Sequence, residues 1–414
     1  MSVGCTVALL AVVSTGAGAA PTVVTVAGTG AVGHAGDGGP AARALLASPS
    51  GIAVDGAGDV VVADSGNCRI QVTAGRSGRH FGIAMKAHHI YTVAGTSCRG
   101  HVSTSAKGPS LGDPTGVAVD AGGDLLIADG TGNRILELPA TTGRDYGVAV
   151  TAGHLTSVAG TGVAGAGATG GPARSSRLDD PQGIAVDAAG DIYIADTAAC
   201  QVDEVPARDE TRLNVRLGAG HLYPVAGTGT CGYSGDGGNA ALAQLWSPSA
   251  LTVDGAGDLL IADEGNSAVR EIPATTGTFY GVAIAAGDIA TVAGQDTFST
   301  YINDGFPATG PVADVNYPSG VAVDAAGDLF IADSYDRSIL EVPAHNGVLF
   351  GRNEMADDMY TLAGILPVGG AAFGDGTRWI LTRVTYPDGV AVGPGGVLYF
   401  TDQGGNTVRR IAGS

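Results

Sequence analysis

PSGIAVDGAGDVVVADSGN, residues 49–67, reads as two short β-branched runs on either side of a turn rich in Gly and Asp. Valine and isoleucine suit the pleated, half-buried surface of a strand, and the turn residues supply positive φ and local side-chain hydrogen bonds. The stretch returns as PTGVAVDAGGDLLIADGTGN at 114, PQGIAVDAAGDIYIADTAA at 181 and PSALTVDGAGDLLIADEGN at 248. It returns again as PSGVAVDAAGDLFIADSYD at 318 and PDGVAVGPGGVLYFTDQGGN at 387. Successive copies start 65, 67, 67, 70 and 69 residues apart. Each copy continues into a third run such as RILELP (134–139) and, after an insertion, a fourth such as IYTVAG (90–95).

Short apolar runs bounded by Gly, Asp and Pro are strands and turns, not helices. Four strands per unit, repeated six times, predict an all-β, six-bladed β-propeller of four-stranded antiparallel blades. Blades are expected to start near residues 48, 113, 180, 247, 317 and 386. The sixth copy ends at NTVRRIAGS with three strands, and TVVTVAGTG (22–30) is a fourth strand with no first three. The N-terminal strand 22–27 is therefore expected to complete the last blade, because a closed ring leaves no open edge.

These units, P-x-G-V-A-V-D…G-D-L-x-I-A-D…N-x-R-I, resemble NHL repeats from residue 21 onward, and the linkers around GHAGDGGP and GYSGDGGN resemble those of secreted bacterial NHL arrays. The resemblance implies the fold but leaves function open, since such propellers serve as receptors, RNA binders, lyases and lactonases. The motif's Asn and Arg stand at Asn67/Arg69 and Asn133/Arg134, whereas later copies hold Gln201, Ala268, Ser338 and Thr407 in place of the arginine.

Charge narrows the partners. The chain carries 40 acids against 21 bases, a net charge of −19, and its lysines are Lys86 and Lys107. Phosphate-rich partners are bound by clustered Lys and Arg, so nucleic acid and anionic membrane surfaces are disfavoured. Residues 1–20, MSVGCTVALLAVVSTGAGAA, read as a secretory leader followed by a single propeller domain, although no Lys or Arg precedes the apolar run. No later stretch is long and apolar enough to span a membrane.

Cysteine usage points the same way. Cys68 and Cys200 each stand four residues after the Asp that closes the second strand, and Cys98 and Cys231 each follow the VAG that closes the fourth. Antiparallel neighbours bring those points together, so two within-blade disulfides are expected, Cys68–Cys98 and Cys200–Cys231. Surviving disulfides imply an oxidising compartment. Cys5 lies within the leader.

Several polar positions recur. His89, His154, His221, Asp288 and Asp358 open the fourth strands of different blades, too far apart for one metal ion. Asp55, Asp120, Asp187, Asp254 and Asp324 open D-x-x-G-D turns, where a carboxylate caps the backbone ahead of it. Structural calcium along these turns is conceivable, but no cofactor is required. The Gly-rich loops at Asp37, Asp236, Asp304 and Asp375 do not have EF-hand spacing.

Enzymes on six-bladed propellers gather acid–base or metal-binding groups at the channel mouth, where the first strands begin. The topology assigns that ring to Ser50, Thr115, Gln182, Ser249, Ser319 and Asp388. One carboxylate among neutral groups makes a poor hydrolase or metal cage, and no histidine falls in the ring. Tyr233, Trp246, Phe298, Tyr301, Phe306, Phe373 and Trp379 lie on loops expected over the same face and suit protein or glycan recognition. The expected function is a secreted, monomeric, non-catalytic binding scaffold. The alternative is a metal-dependent lyase or lactonase at the mouth, with His34, His101 or Asp375 brought over Asp388.

Overall fold

The computed structural model describes residues 22–95, 110–167, 169–212, 215–295, 304–310, 313–349, 352–364 and 383–412. The fold is a six-bladed propeller of antiparallel blades, each built around four strands, a to d, from channel to rim. Blade one contains strands Pro49–Val54, Val60–Asp64, Arg69–Thr73 and Ile90–Gly95. Blade six contains Pro387–Gly393, Val397–Asp402 and Thr407–Ala412, and Thr22–Ala27 is its fourth strand. The closing register runs from Thr22 opposite Ala412 to Ala27 opposite Val408. The two ends of the chain thus hold one sheet together, as the unfinished sixth copy requires.

Strand b is buried along its whole length in the first five blades, because both of its faces meet neighbouring blades. That explains its run of Leu, Ile and Val rather than an alternating pattern. Strands a converge on the axis. A Cβ on Gly51 or Gly116 would strike the carbonyl of Thr115 or Gln182 on the next blade, so the Gly of P-x-G sets how tightly the ring closes.

The D-x-x-G-D turn uses its two aspartates differently. The first caps the turn: Asp55 Oδ1 accepts from the Ala57 and Asp59 N–H groups at 2.8 Å, and Asp120, Asp187, Asp254 and Asp324 accept in the same way. The second pins the exit of strand c, with Asp59 Oδ1 accepting from Gly75 N at 2.8 Å and Asp124 Oδ1 from Ala140 N at 2.6 Å. The insertion between strands c and d is a short two-stranded hairpin in each of blades one to five. In blades two and four its tyrosine reaches the next blade, Tyr146 donating to Gly190 O and Tyr280 to Gly327 O.

The aspartate closing strand b is buried in all six blades. It accepts from the loop entering its own blade, as in Ala47 N to Asp64 Oδ1 at 2.7 Å. Arg69 and Arg134 pair with Asp64 and Asp129. Four copies replace this arginine, but blades four and six supply it two residues later. Arg270 Nη1 lies 3.3 Å from Asp263, and Arg409 Nη1 3.6 Å from Asp402. Blade three has no such arginine, and burial together with the Asp203 charge raises the Asp196 carboxyl to about 8.

The residue opening strand c must adopt a left-handed conformation: Cys68, Asn133 and Cys200 have φ of 49°, 49° and 53°. Asparagine tolerates this conformation and here also accepts a bond, Asp180 N to Asn133 Oδ1 at 3.0 Å. Cysteine holds the turn covalently instead. Cys200 is bonded to Cys231, with Cα atoms 5.2 Å apart. Cys68 is also disulfide-bonded, and its expected partner Cys98 lies outside the described residues, as do residues 1–20. Among the described residues no helix is long and apolar enough to cross a membrane.

Candidate binding site at the channel mouth

All six ring residues line one cavity of about 540 Å³ where the strands a begin. Most of their hydroxyls are committed to the fold. Ser50 Oγ donates to Thr115 O at 3.0 Å, Thr115 Oγ1 to Gln182 O at 3.2 Å, and Ser319 Oγ to Asp388 O at 3.0 Å. Thr197 Oγ1 donates to Pro248 O at 2.7 Å, and Thr401 Oγ1 to Ser50 O at 2.6 Å. Ser249 Oγ lies 3.1 Å from Pro318 O. Five of the six blade junctions are thus crossed by a hydroxyl-to-carbonyl bond, and at the fourth the single Ser249 proton faces both Pro318 O and the Glu264 carboxylate. These side chains hold a rigid rim and are poor nucleophiles in this arrangement.

The free chemistry belongs to the acids. Asp388 accepts from Gln403 Nε2 at 2.8 Å. Burial in the channel, with a smaller contribution from the Glu264 charge, raises its carboxyl to about 7. Burial also raises Glu264, opposed by a hydrogen bond from Ser249. Asp113 completes the acids of the lining, and among the described lining residues there is no Lys, Arg or His. Sequence reasoning missed Glu264, which follows the strand b aspartate. In the blade register Pro248 lies opposite Asp263, which places the next residue beside the start of strand a. Ser65 and Gln403 reach the cavity from the same position in their blades.

Comparison with known proteins identifies the repeat. The NHL repeat pattern matches residues 46–72, 111–137 and 178–202, spanning the first two strands and running into the third in blades one to three. Blades one to three carry NHL repeats, and the chain folds as a six-bladed β-propeller. It is 26% identical over 263 residues to Teneurin-1 of Caenorhabditis elegans, covering 61% of this chain but 9% of that protein. A crystal structure of a Bacteroides thetaiotaomicron protein of unknown function superposes with a TM-score of 0.60 at 16% identity, covering 95% of this chain and 76% of that one. An auxiliary nutrient binding protein from the same organism gives 0.58 at 11%, with the same coverage. At these identities the structural likenesses establish the fold alone.

The aromatics of this NHL propeller divide by position. Trp246 is 52% exposed, and its ring lies against Gly265, next to Glu264. Tyr386 is 40% exposed and lines the cavity. Tyr317 precedes strand a of blade five as Tyr386 does in blade six, and its ring centroid lies 6.1 Å from that of Tyr335. Sequence reasoning passed over Tyr317, Tyr335 and Tyr386; their closeness to the proline that begins strand a, or to the b–c turn, was the available signal. Phe306 lies instead on the outer edge strand of blade five, Asp304–Pro307. Tyr233 is half-buried, its hydroxyl 2.9 Å from Thr291 Oγ1, with Arg270 stacked 5.0 Å from the ring centre.

Phe298, Tyr301, Phe373, Trp379, His101 and Asp375 lie outside the described residues. His34 is exposed and is not part of the cavity lining. The Nδ1 atoms of His89, His154 and His221 lie 3.0–3.1 Å from the carbonyl two residues earlier. Asp37 accepts from Thr92 N, and Asp236 pairs with Arg270, so both tie a linker to the blade edge.

Proposed function

We propose that this NHL propeller is an exported binding scaffold that recognises a glycan through its channel-mouth face. The observation that carries this reading is the division of labour at the mouth. The hydroxyls are occupied in joining blades, while Glu264, Asp388 and the Gln403 amide remain beside exposed Tyr386. Carboxylates accept hydrogen bonds from sugar hydroxyls, and flat aromatic faces pack on sugar rings. The acidic lining is unsuited to phosphorylated or other anionic ligands. The Cys200–Cys231 disulfide supports an oxidising, extracytoplasmic setting.

One observation favours the alternative of a lyase or hydrolase. Asp388 at about 7 beside Glu264 is the kind of carboxylate pair that can exchange a proton near neutrality. The deciding experiment is a glycan array followed by calorimetry on the full chain, run beside ester, lactone and elimination assays. Recognition predicts sugar binding weakened at least tenfold in Asp388→Asn and Glu264→Gln, with no turnover. Turnover that is abolished by Asp388→Asn would replace this reading with the enzymatic one.

A further inference from the structure

On the opposite face, blade two gathers three acids under its c–d hairpin: Asp124 from the a–b turn, Glu137 from strand c and Asp145 from the hairpin. Their nearest ligand oxygens all lie within 4.8 Å of one another. Asp124 uses Oδ1 to hold Ala140 N, which leaves Oδ2 for the cluster. Glu137 is 1% exposed, and its Oε2 has no hydrogen-bond partner. Asp124 and Asp145 are partly exposed, so the cluster opens to solvent on one side.

Blade one shows what the same corner looks like when it is neutralised from within. Val72 stands where Glu137 stands, and His80 occupies the hairpin position of Asp145. His80 Nδ1 lies 2.5 Å from Asp59 Oδ2, the oxygen that corresponds to Asp124 Oδ2, and so sets a base against that carboxylate. Blade two replaces the base with a second acid and adds a third, buried acid. Such an arrangement is offset either by a proton held on Glu137 or by a cation from solvent.

We propose that Asp124, Glu137 and Asp145 form a calcium site that locks the hairpin of blade two to its sheet. An all-carboxylate donor set selects a hard cation. Oxygens on opposite sides of a bound Ca²⁺ stand roughly 4.6–5.2 Å apart, so three carboxylate oxygens that all lie within 4.8 Å of one another can share one such ion, and its tolerance of irregular geometry suits ligands from three separate elements. Three carboxylates, one or more of them bidentate, with water on the open side complete the coordination. Blade three carries a related trio, Asp191, Glu204 and Glu210, but its hairpin has Arg212 in the register of Asp145. The site is therefore assigned to blade two.

The test uses the full chain after chelator treatment. Calorimetry with Ca²⁺ is expected to show one site with a Kd on the order of 0.1–1 mM. Tb³⁺ should emit on tyrosine excitation, and most of that emission should be lost in Tyr146→Phe, since Tyr146 adjoins the ligand Asp145. Glu137→Gln should weaken Ca²⁺ at least tenfold. Asp145→His, which sets a histidine against Asp124 as His80 is set against Asp59 in blade one, should abolish the response. Absence of binding to the native chain overturns the proposal. An isotherm that Asp145→His leaves unchanged also overturns it and moves the ion to another cluster.

Discussion

Blades one and two are two copies of one repeat, their strands a starting 65 residues apart, yet they stabilise both ends of strand c by different means. At the upper end, blade one places a disulfide-bonded Cys68 in the left-handed position, and blade two places Asn133 there. At the lower end, blade one sets His80 against Asp59, and blade two sets Asp145 and Glu137 against Asp124. What the two share is backbone satisfaction: Asp59 Oδ1 and Asp124 Oδ1 each hold the N–H that follows strand c. The fold fixes one oxygen per aspartate and leaves the other free to vary between blades.

The largest difference is expected at the upper end. Cys68→Ser should cost about 2–4 kcal/mol, the usual value of a disulfide. Asn133→Ala loses one bond to Asp180 N and should cost about 1 kcal/mol. Denaturant midpoints of the two variants measure the gap. Equal losses would mean that the turn itself, and not the covalent link, carries the stability of blade one.

At the lower end the two aspartates should respond with opposite sign in metal-free protein. Asn keeps the Oδ1 acceptor in either blade. Asp59→Asn nevertheless breaks the buried pair with His80 and should cost about 2–3 kcal/mol near pH 6. Asp124→Asn removes one of the two charges that bear on Glu137 within the cluster and should be neutral or stabilising. Thermal unfolding in chelator compares them directly. If both variants lose stability equally, His80 contributes nothing that Glu137 and Asp145 oppose.

This divergence also marks what could be read from the sequence. Blade number, strand order and closure by Thr22–Ala27 follow from periodicity, because they depend on features the copies share, and the Cys200–Cys231 bond follows from the register that periodicity assigns to its two cysteines. The mouth ring is periodic too, and all six of its residues meet in one cavity. Glu264, Tyr386 and Asp145 are departures from the repeat, and an alignment of copies averages departures away, whereas Glu137 recurs as Glu204, Glu271 and Glu341 and gains its cluster only where the hairpin supplies an acid. Arg270 and Arg409 were missed for a related reason. Two residues along a strand return to the same face, so an arginine displaced by two still reaches its aspartate. The insertion gave no signal of its hairpin because three-residue strands, as in Gly143–Asp145, are too short for a period to show.

A smaller effect depends on pH. Burial, followed by the charges of Asp145 and Asp124, raises Glu137 from 4.5 to about 8; Asp120 adds to the same field. A raised carboxyl binds its proton more tightly in the folded state. Its contribution is therefore complete below pH 4.5 and is lost as pH rises through about 8. In chelator, Glu137→Gln should change little at the acid end and stabilise by about 1–2 kcal/mol above the folded value. Ca²⁺ should stabilise the native chain increasingly over the same window. Melting curves at several pH values test this, and a Gln variant whose advantage does not grow with pH would remove the charge argument from blade two.

The smallest expected difference lies one residue beyond the cluster. Phe81 and Tyr146 occupy the same hairpin position and share a left-handed φ of 47°. The Tyr146 hydroxyl reaches across to Gly190 O at 2.9 Å, so the hairpin of blade two is tied to the turn of blade three. Phe81 packs among the apolar side chains between blades one and two without a hydroxyl. Tyr146→Phe should therefore cost about 1 kcal/mol, the net value of one hydrogen bond. Phe81→Tyr would present a hydroxyl toward Gly123, the counterpart of Gly190 in the next turn, and should be neutral or recover up to about 1 kcal/mol. The two changes make each blade resemble the other at this position, so the double variant should lie within a few tenths of a kcal/mol of the native chain. A double variant as unstable as Tyr146→Phe alone would show that the blade-one hairpin sits too far from its neighbour to use the bond. The difference between the blades would then lie in the backbone as well as in the side chains.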